Sequence, residues 1–191
     1  MSDLPARKAA LRREMRARRA LLAREGVRAA RALAEAFPFD LPGATGRVAL
    51  YRPLGSELDP GPLAARLAAA GAAILLPVVV ARGSSLTFRE AGDPAAHVPD
   101  AAGLLAPPPT AAEARPDLIL APLLAFDGRG GRLGYGGGYY DRAIAALRAG
   151  PGVRVIGLAF AGQEVPEVPA GAGDQRLDAI CVEMGYRAFF I

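Results

Sequence analysis

The chain is short of several residue types that carry much of enzyme chemistry: it has one cysteine, one histidine, no tryptophan and only 6% aromatic residues among 191. Each shortage excludes something. Cys181, standing alone, forbids an internal disulfide and suits a reducing compartment; it lies in the apolar run Asp178-Ala179-Ile180-Cys181-Val182, which reads as a structural thiol rather than a nucleophile. His97, also alone, leaves most zinc sites and any Ser-His or Cys-His arrangement without a second imidazole to build on. No stretch offers the ~18 or more consecutive apolar residues of a membrane-spanning helix. Met1-Ser2-Asp3-Leu4-Pro5 runs directly into arginines, with no apolar centre of a signal peptide. The expectation is a cytoplasmic protein, monomeric or weakly dimeric, that engages neither a membrane nor nucleic acid.

Lysine is scarce too, since Lys8 is the only one, yet arginine lifts the formal net charge to +4. That charge is uneven. Residues 1–31 carry ten basic side chains against Asp3, Glu14 and Glu25, and the remainder of the chain is mildly acidic. The positive charge therefore belongs to one element, and where that element sits matters more than the high isoelectric point. With 52% hydrophobic and 22% charged residues, the chain is expected to form one globular domain over 1–191.

Periodicity divides the chain into alternating elements. Residues 6 to about 24 lack glycine and proline and predict a helix, with Leu11, Met15 and Leu22 on one stripe and Lys8, Arg12, Arg16 and Arg19 on its neighbour. A shorter helix follows over Val27 to Phe37. Arg47–Tyr51, Ala73–Leu76 (ended by Pro77), Leu86–Arg89, Asp117–Ala121, Val153–Leu158, Asp178–Val182 and Arg187–Ile191 read as strands. Helices are expected over Pro62–Ala70 and Tyr139–Arg148, and residues 92–115, rich in Pro, Ala and Gly, as a long surface loop. Strands alternating with helices predict an α/β fold: a three-layer sandwich with a largely parallel mixed sheet and helices on both faces.

The most informative stretch is Phe126-Asp127-Gly128-Arg129-Gly130-Gly131-Arg132-Leu133-Gly134-Tyr135-Gly136-Gly137-Gly138-Tyr139-Tyr140-Asp141-Arg142, which follows a strand and opens a helix. Glycines at the carboxyl end of a strand let successive N–H groups converge on an anion, and the helix N-terminus adds about half a positive charge. Arg132 suits phosphate oxygens, and Asp141 in the first helical turn suits a magnesium ion. The stretch contains no Gly-Lys-Ser/Thr of a Walker loop and is not placed like a Rossmann fingerprint.

Asp117-Leu118-Ile119-Leu120-Ala121-Pro122 and the run from Arg132 to Arg142 closely resemble the signature of 5-formyltetrahydrofolate cyclo-ligases. The likeness continues at Lys8-x-x-Leu11-Arg12, at Tyr51 to Asp59, at Gly157 to Phe160 with Gln163, and at Asp174 to Glu183, covering about 1–184. The resemblance implies a NagB/RpiA/CoA-transferase-like fold. It also implies conversion of 5-formyltetrahydrofolate and ATP, with Mg2+, into 5,10-methenyltetrahydrofolate, ADP and phosphate; a non-catalytic folate- or nucleotide-binding relative is the alternative. It further implies that Lys8, Arg12, Arg132, Leu133, Gly134, Tyr135, Gly136, Gly137, Gly138, Tyr139 and Tyr140 bind ATP, with Arg132 and Tyr140 at the reacting atoms. Glu57, Tyr51 and Tyr140 would contact folate, and Asp141 and Asp178 would hold the metal. From the residues alone, Tyr139 and Tyr140 suit stacking, phosphate hydrogen bonds or core packing. The alternative for Asp178 is a strand-end carboxylate held by backbone N–H groups, and Asp59 reads as a helix cap. Arg16, Arg18 and Arg19 read as a solvated basic face.

Overall fold

The computed structural model describes residues 3–189. The end of the strand expected over 187–191 lies outside the described residues, as do Met1 and Ser2. Four α-helices, α1 (Leu4–Leu22), α2 (Gly26–Ala36), α3 (Gly61–Ala69) and α4 (Tyr139–Arg148), accompany the strands. These are β1 (Arg47–Ala49), β2 (Ala73–Val79), β3 (Leu86–Glu90), β4 (Val98–Pro99), β5 (Leu105–Ala106), β6 (Leu118–Pro122), β7 (Ala125–Phe126), β8 (Arg132–Leu133), β9 (Arg154–Leu158), β10 (Ala179–Val182) and β11 (Gly185–Ala188). The main sheet runs β11-β10-β9-β6-β1-β2-β3. Strands β10, β9, β6, β1 and β2 are parallel to one another, while β3 and β11 pair antiparallel at the two edges.

Alternation along the strands builds two cores. On β6, Leu118 and Leu120 face one side and join Leu33 of α2 and Leu63 and Leu67 of α3. Ile119 and Ala121 face the other side and join Ala143 and Ile144 of α4. Helices thus cover both faces of the sheet, as the run of apolar residues in a doubly buried strand requires. A third cluster, Met15 of α1 with Leu124, Ala125, Leu133, Val165 and Val168, seats the arginine-rich helix over the loops beyond β6.

Three local expectations needed revision. Strand β2 continues through Pro77 to Val79, because its pairing with β1 ends at Leu75 and Pro77 has a strand neighbour only on the β3 side, opposite Phe88. Residues 92–115 are not a plain surface loop: β4 and β5 form a small antiparallel hairpin, and Asp100 ties it to the sheet by accepting from the Val79 N–H at 2.9 Å. The glycine-rich stretch is not one continuous loop either, since β8 pairs antiparallel with β7 before the chain enters residues 134–138. Asp59 stands one residue before the N-cap of α3, which is Pro60, and its Oδ1 accepts the N–H of Gly61 at 2.9 Å.

Leu120 is fully buried at the centre of the sheet. Leu120→Ala is expected to lower the unfolding free energy by about 2–5 kcal/mol, measured as a reduced urea midpoint at unchanged slope.

Candidate active site

Beyond the carboxyl ends of β1, β2 and β6 the loops enclose a cavity of about 660 Å³, a size suited to a ligand of cofactor dimensions. Its floor is the strand ends, with Pro122 of β6 and Val79 of β2 exposed to it; the segment Tyr51 to Glu57 after β1 forms one wall. Residues 132–141 form another wall, α1 contributes Lys8 and Arg12, and the β4–β5 hairpin adds Gly103, Leu104 and Leu105 at the mouth.

The glycine loop is shaped from both sides. Arg12 Nε donates to the Gly134 carbonyl at 2.9 Å, pinning the loop to α1. Gly136 then turns at φ +108°, and a Cβ there would lie 3.3 Å from the Arg12 guanidinium carbon. Gly138, at φ +66°, is the residue before α4, so the chain enters that helix through a left-handed step that favours glycine. The loop begins on an equally constrained turn. Asp127, almost fully buried, accepts N–H groups from Arg129 (2.9 Å), Gly131 (2.8 Å) and Val168 (2.9 Å). Burial alone would raise its pKa, but those three donors outweigh burial and hold the carboxyl below its ordinary range.

Two of the cations facing the cavity, Lys8 and Arg132, are held by carboxylates. Lys8 Nζ donates to Asp174 Oδ2, which also accepts the Gly171 N–H. Arg132, 8% exposed, donates through Nη2 to Asp141 Oδ1 at 2.8 Å, and the same oxygen takes the Gln175 N–H at 3.1 Å. In each carboxylate the protein's bonds converge on a single oxygen. Burial acts against the charge on Asp174; the Lys8 ammonium and the Gly171 N–H prevail, and its carboxyl lies below the ordinary value.

At the opposite end Glu57 is buried, its Oε2 taking the Leu54 N–H at 2.8 Å and its Oε1 lying 3.7 Å from Arg19 Nη1. Burial raises its pKa, only partly opposed by the Leu54 N–H and the Arg19 charge. Glu57 Oε1, Arg132 Nε and the Tyr140 hydroxyl are buried without a hydrogen-bond partner among the described residues, and all three belong to cavity-lining side chains. Burial likewise pushes the Tyr140 hydroxyl well above its usual pKa, so it is a neutral donor, with the Arg132 guanidinium 5.6 Å from the centre of its ring. Tyr51 lines the cavity but spends its hydroxyl on the Leu58 carbonyl at 2.7 Å. Tyr139 packs its ring under Arg142, and Tyr135 packs under Arg16 and Arg19.

Two sequence expectations are corrected. Asp178 does not join Asp141: it precedes β10, at the amino edge of the parallel strands, where Arg148 Nη2 donates to both its oxygens (2.9 and 3.0 Å) and Val155 N–H donates at 2.6 Å. Arg148 closes α4 and Asp141 opens it, about 10 Å apart along the helix axis. At the glycine-loop end of the cavity the carboxylate that accompanies Asp141 is Asp174. Arg19, expected in solvent, is 3% exposed and bonded inside the protein. The missed signal was spacing: Lys8, Arg12, Met15 and Arg19 recur at four, three and four residues on one face of α1, and Met15 is buried.

A family model described as the 5-formyltetrahydrofolate cyclo-ligase family matches residues 5–183. The chain belongs to this family. Cyclo-ligases named as such include one from Haemophilus influenzae, 41% identical over 66 residues that span 35% of each chain. Another, from Mycolicibacterium smegmatis, is 37% identical over 136 residues, 66% of this chain and 68% of that one. Among solved structures, the 5,10-methenyltetrahydrofolate synthetase of Aquifex aeolicus superposes with a TM-score of 0.76 at 28% identity, covering 96% of this chain and 93% of that one. The cyclo-ligase family match thus spans both the arginine-rich helix and the glycine loop.

Because the folded-state pKa of Asp127 is depressed, its stabilising effect is present above the unfolded value near ~3.9 and is lost as pH falls through the folded value. Asp127→Asn is expected to flatten the dependence of the unfolding midpoint on pH below about 4 and to destabilise the protein at neutral pH by about 1–3 kcal/mol.

Proposed function

We propose that the cavity holds ATP at its glycine-loop end and 5-formyltetrahydrofolate at its Glu57 end, making the chain an ATP-dependent ligase that forms 5,10-methenyltetrahydrofolate, ADP and phosphate. The observation that carries this reading is that one cavity is lined both by the glycine loop with Lys8, Arg12 and Arg132 and by Glu57 with apolar walls. A polyanion suits the first end, where cations surround a helix N-terminus. A flat heterocycle suits the second. The paired amino and ring N–H donors of a pterin match a buried carboxylate whose Oε1 has no hydrogen-bond partner.

The chemistry demands positioning more than acid–base power. The carbonyl oxygen of an N-formyl group is a poor leaving group. In this reading it attacks the γ-phosphorus of ATP in line, the bond to the β-phosphate oxygen breaks, and ADP departs. The N10 amine then adds to the activated carbon and loses its proton. Finally the C–O bond breaks, releasing phosphate and leaving the N5–C–N10 cation. Arg132 and the N–H groups opening α4 offset charge on the transferring group, and the neutral Tyr140 hydroxyl is placed to donate.

Magnesium fits the donor set: octahedral Mg2+ typically takes one or two carboxylates with phosphate oxygens and water, and Asp141 and Asp174 line the phosphate end with one oxygen each left unbonded by the residues that hold them. Bound there, the ion neutralises charge on the phosphate oxygens. Among the described residues no helix is long and apolar enough to cross a membrane, and the lone buried Cys181, its thiol pushed up to about 12 by burial, accords with the cytoplasmic reading.

The direct test mixes the protein with 5-formyltetrahydrofolate and MgATP and follows the absorbance of the methenyl product. A signal that disappears with EDTA is expected; a folded wild-type protein that gives none overturns the proposal. Arg132→Met is expected to lower kcat by on the order of 100- to 1000-fold. Asp141→Ala and Asp174→Ala should each cost most of the activity, while Asp178→Asn, at the other edge of the sheet, should retain it in whatever fraction folds.

A further inference from the structure

Arg19 is one of the most buried charged groups in the protein, yet it does not line the cavity. Its guanidinium instead meets three separate segments. Nε donates to Ser56 Oγ at 3.1 Å, and Nη1 lies 3.7 Å from Glu57 Oε1, both on the segment after β1. Nη1 also donates to the Leu123 carbonyl just beyond β6, at 3.2 Å. Nη2 donates to the Tyr135 hydroxyl in the glycine loop, with the guanidinium carbon 5.3 Å from the centre of that ring. A planar fork with five donors reaches such divergent acceptors where a single ammonium does not.

We propose that Arg19 is the positioning residue of the folate end: its charge, 3.7 Å from Oε1, steadies the Glu57 carboxylate, and its bonds to Ser56 and Tyr135 tie that segment to the glycine loop, so that the two ends of the cavity are held at one separation. This rests on the reading of Glu57 as the folate acceptor. The groups that face Glu57 are Arg19 from α1, Tyr135 from the glycine loop, the Leu54 N–H of its own segment, and Tyr51 and Tyr140, whose hydroxyls burial first and the Glu57 charge second make harder to ionise. Arg19 is the one cation among them. Without it, the carboxylate keeps its burial and loses its opposing charge, so Glu57 takes up a proton at higher pH.

The test compares Arg19→Met, Arg19→Lys, Glu57→Gln and the double variant Arg19→Met/Glu57→Gln, with exposed Arg13→Ala as the control. Steady-state constants for folate and for ATP are measured across pH on protein shown to be folded by circular dichroism. Arg19→Met is expected to lower kcat/KM for folate on the order of 10- to 100-fold, chiefly through KM. It should also move the acid limb of that profile to higher pH, since only the carboxylate accepts the substrate donors. Arg19→Lys should keep the limb near its wild-type position with a smaller rise in KM. In the Glu57→Gln background, Arg19→Met should add little further loss, the mark of two residues acting through one interaction. If Arg19→Met does not fold, the same cycle with Arg19→Lys decides. A wild-type folate KM and acid limb in a folded Arg19 variant, or an undiminished loss in the Glu57→Gln background, overturns the inference. A normal folate KM in Glu57→Gln overturns the folate reading together with it; an impaired Glu57→Gln beside a normal Arg19→Met overturns this inference alone.

Discussion

A guanidinium taken out of water has to find acceptors, since its removal from solvent otherwise costs several kcal/mol. Arg19 finds them on three segments that the sequence keeps far apart: Ser56 and Glu57, the Leu123 carbonyl, and Tyr135. The position of α1 follows from this. Met15, one turn earlier on the same face, is buried among Leu124, Ala125 and Leu133, so apolar packing and charge compensation place the helix at the same spot. Lys8 and Arg12, further along that face, then reach the glycine loop and Asp174. A helix that reads as a basic surface becomes one wall of a cleft.

The cleft itself is a product of the parallel sheet. Strands β1, β2 and β6 all end on one edge, and loops leaving that edge converge. Two of them serve different purposes. The segment after β1 brings a buried carboxylate, and the stretch after β8 brings backbone N–H groups and a helix terminus. The hairpin from Val98 to Ala106 adds an apolar rim, with Leu104 and Leu105 part-exposed at the mouth. Site residues therefore ride on loops, while the alternating strands beneath them supply two cores and the rigidity.

Two of the cations at the glycine-loop end of the cavity are compensated by carboxylates. Lys8 is paired with Asp174 and Arg132 with Asp141, so the cations are held extended toward the cavity and do not fold back onto the surface. Each pair also keeps a carboxylate within reach of any cation that accompanies a polyphosphate. The same economy of burial explains the orphaned atoms of Glu57, Arg132 and Tyr140. Polar groups buried without partners are costly, and in the proposed reading a bound ligand pairs these three.

Much of this was legible in the chain. The 3.6-residue period in residues 4–22 and the unbroken apolar run over residues 118–122 follow from side-chain patterning, and so did the α/β class. The run from Arg132 to Asp141 was legible because glycines at a strand-to-helix junction have few other uses, and the family resemblance lay in the same residues. What the sequence alone left undecided were questions of partnership across long separations. Asp174 and Asp178 stand four residues apart, and nothing local says which one faces the cleft; the start of β10 and the arginine closing α4 decide it. Arg16 and Arg19 look alike on a helical wheel, yet one is solvated and the other buried, because burial is fixed by what packs against a helix face and not by the face itself. The sequence by itself determined the main helices and sheet strands, their order and the glycine loop; the two small hairpins, and which charges meet in space, were settled only by tertiary packing, since electrostatic pairing depends on distances that a linear spacing does not contain.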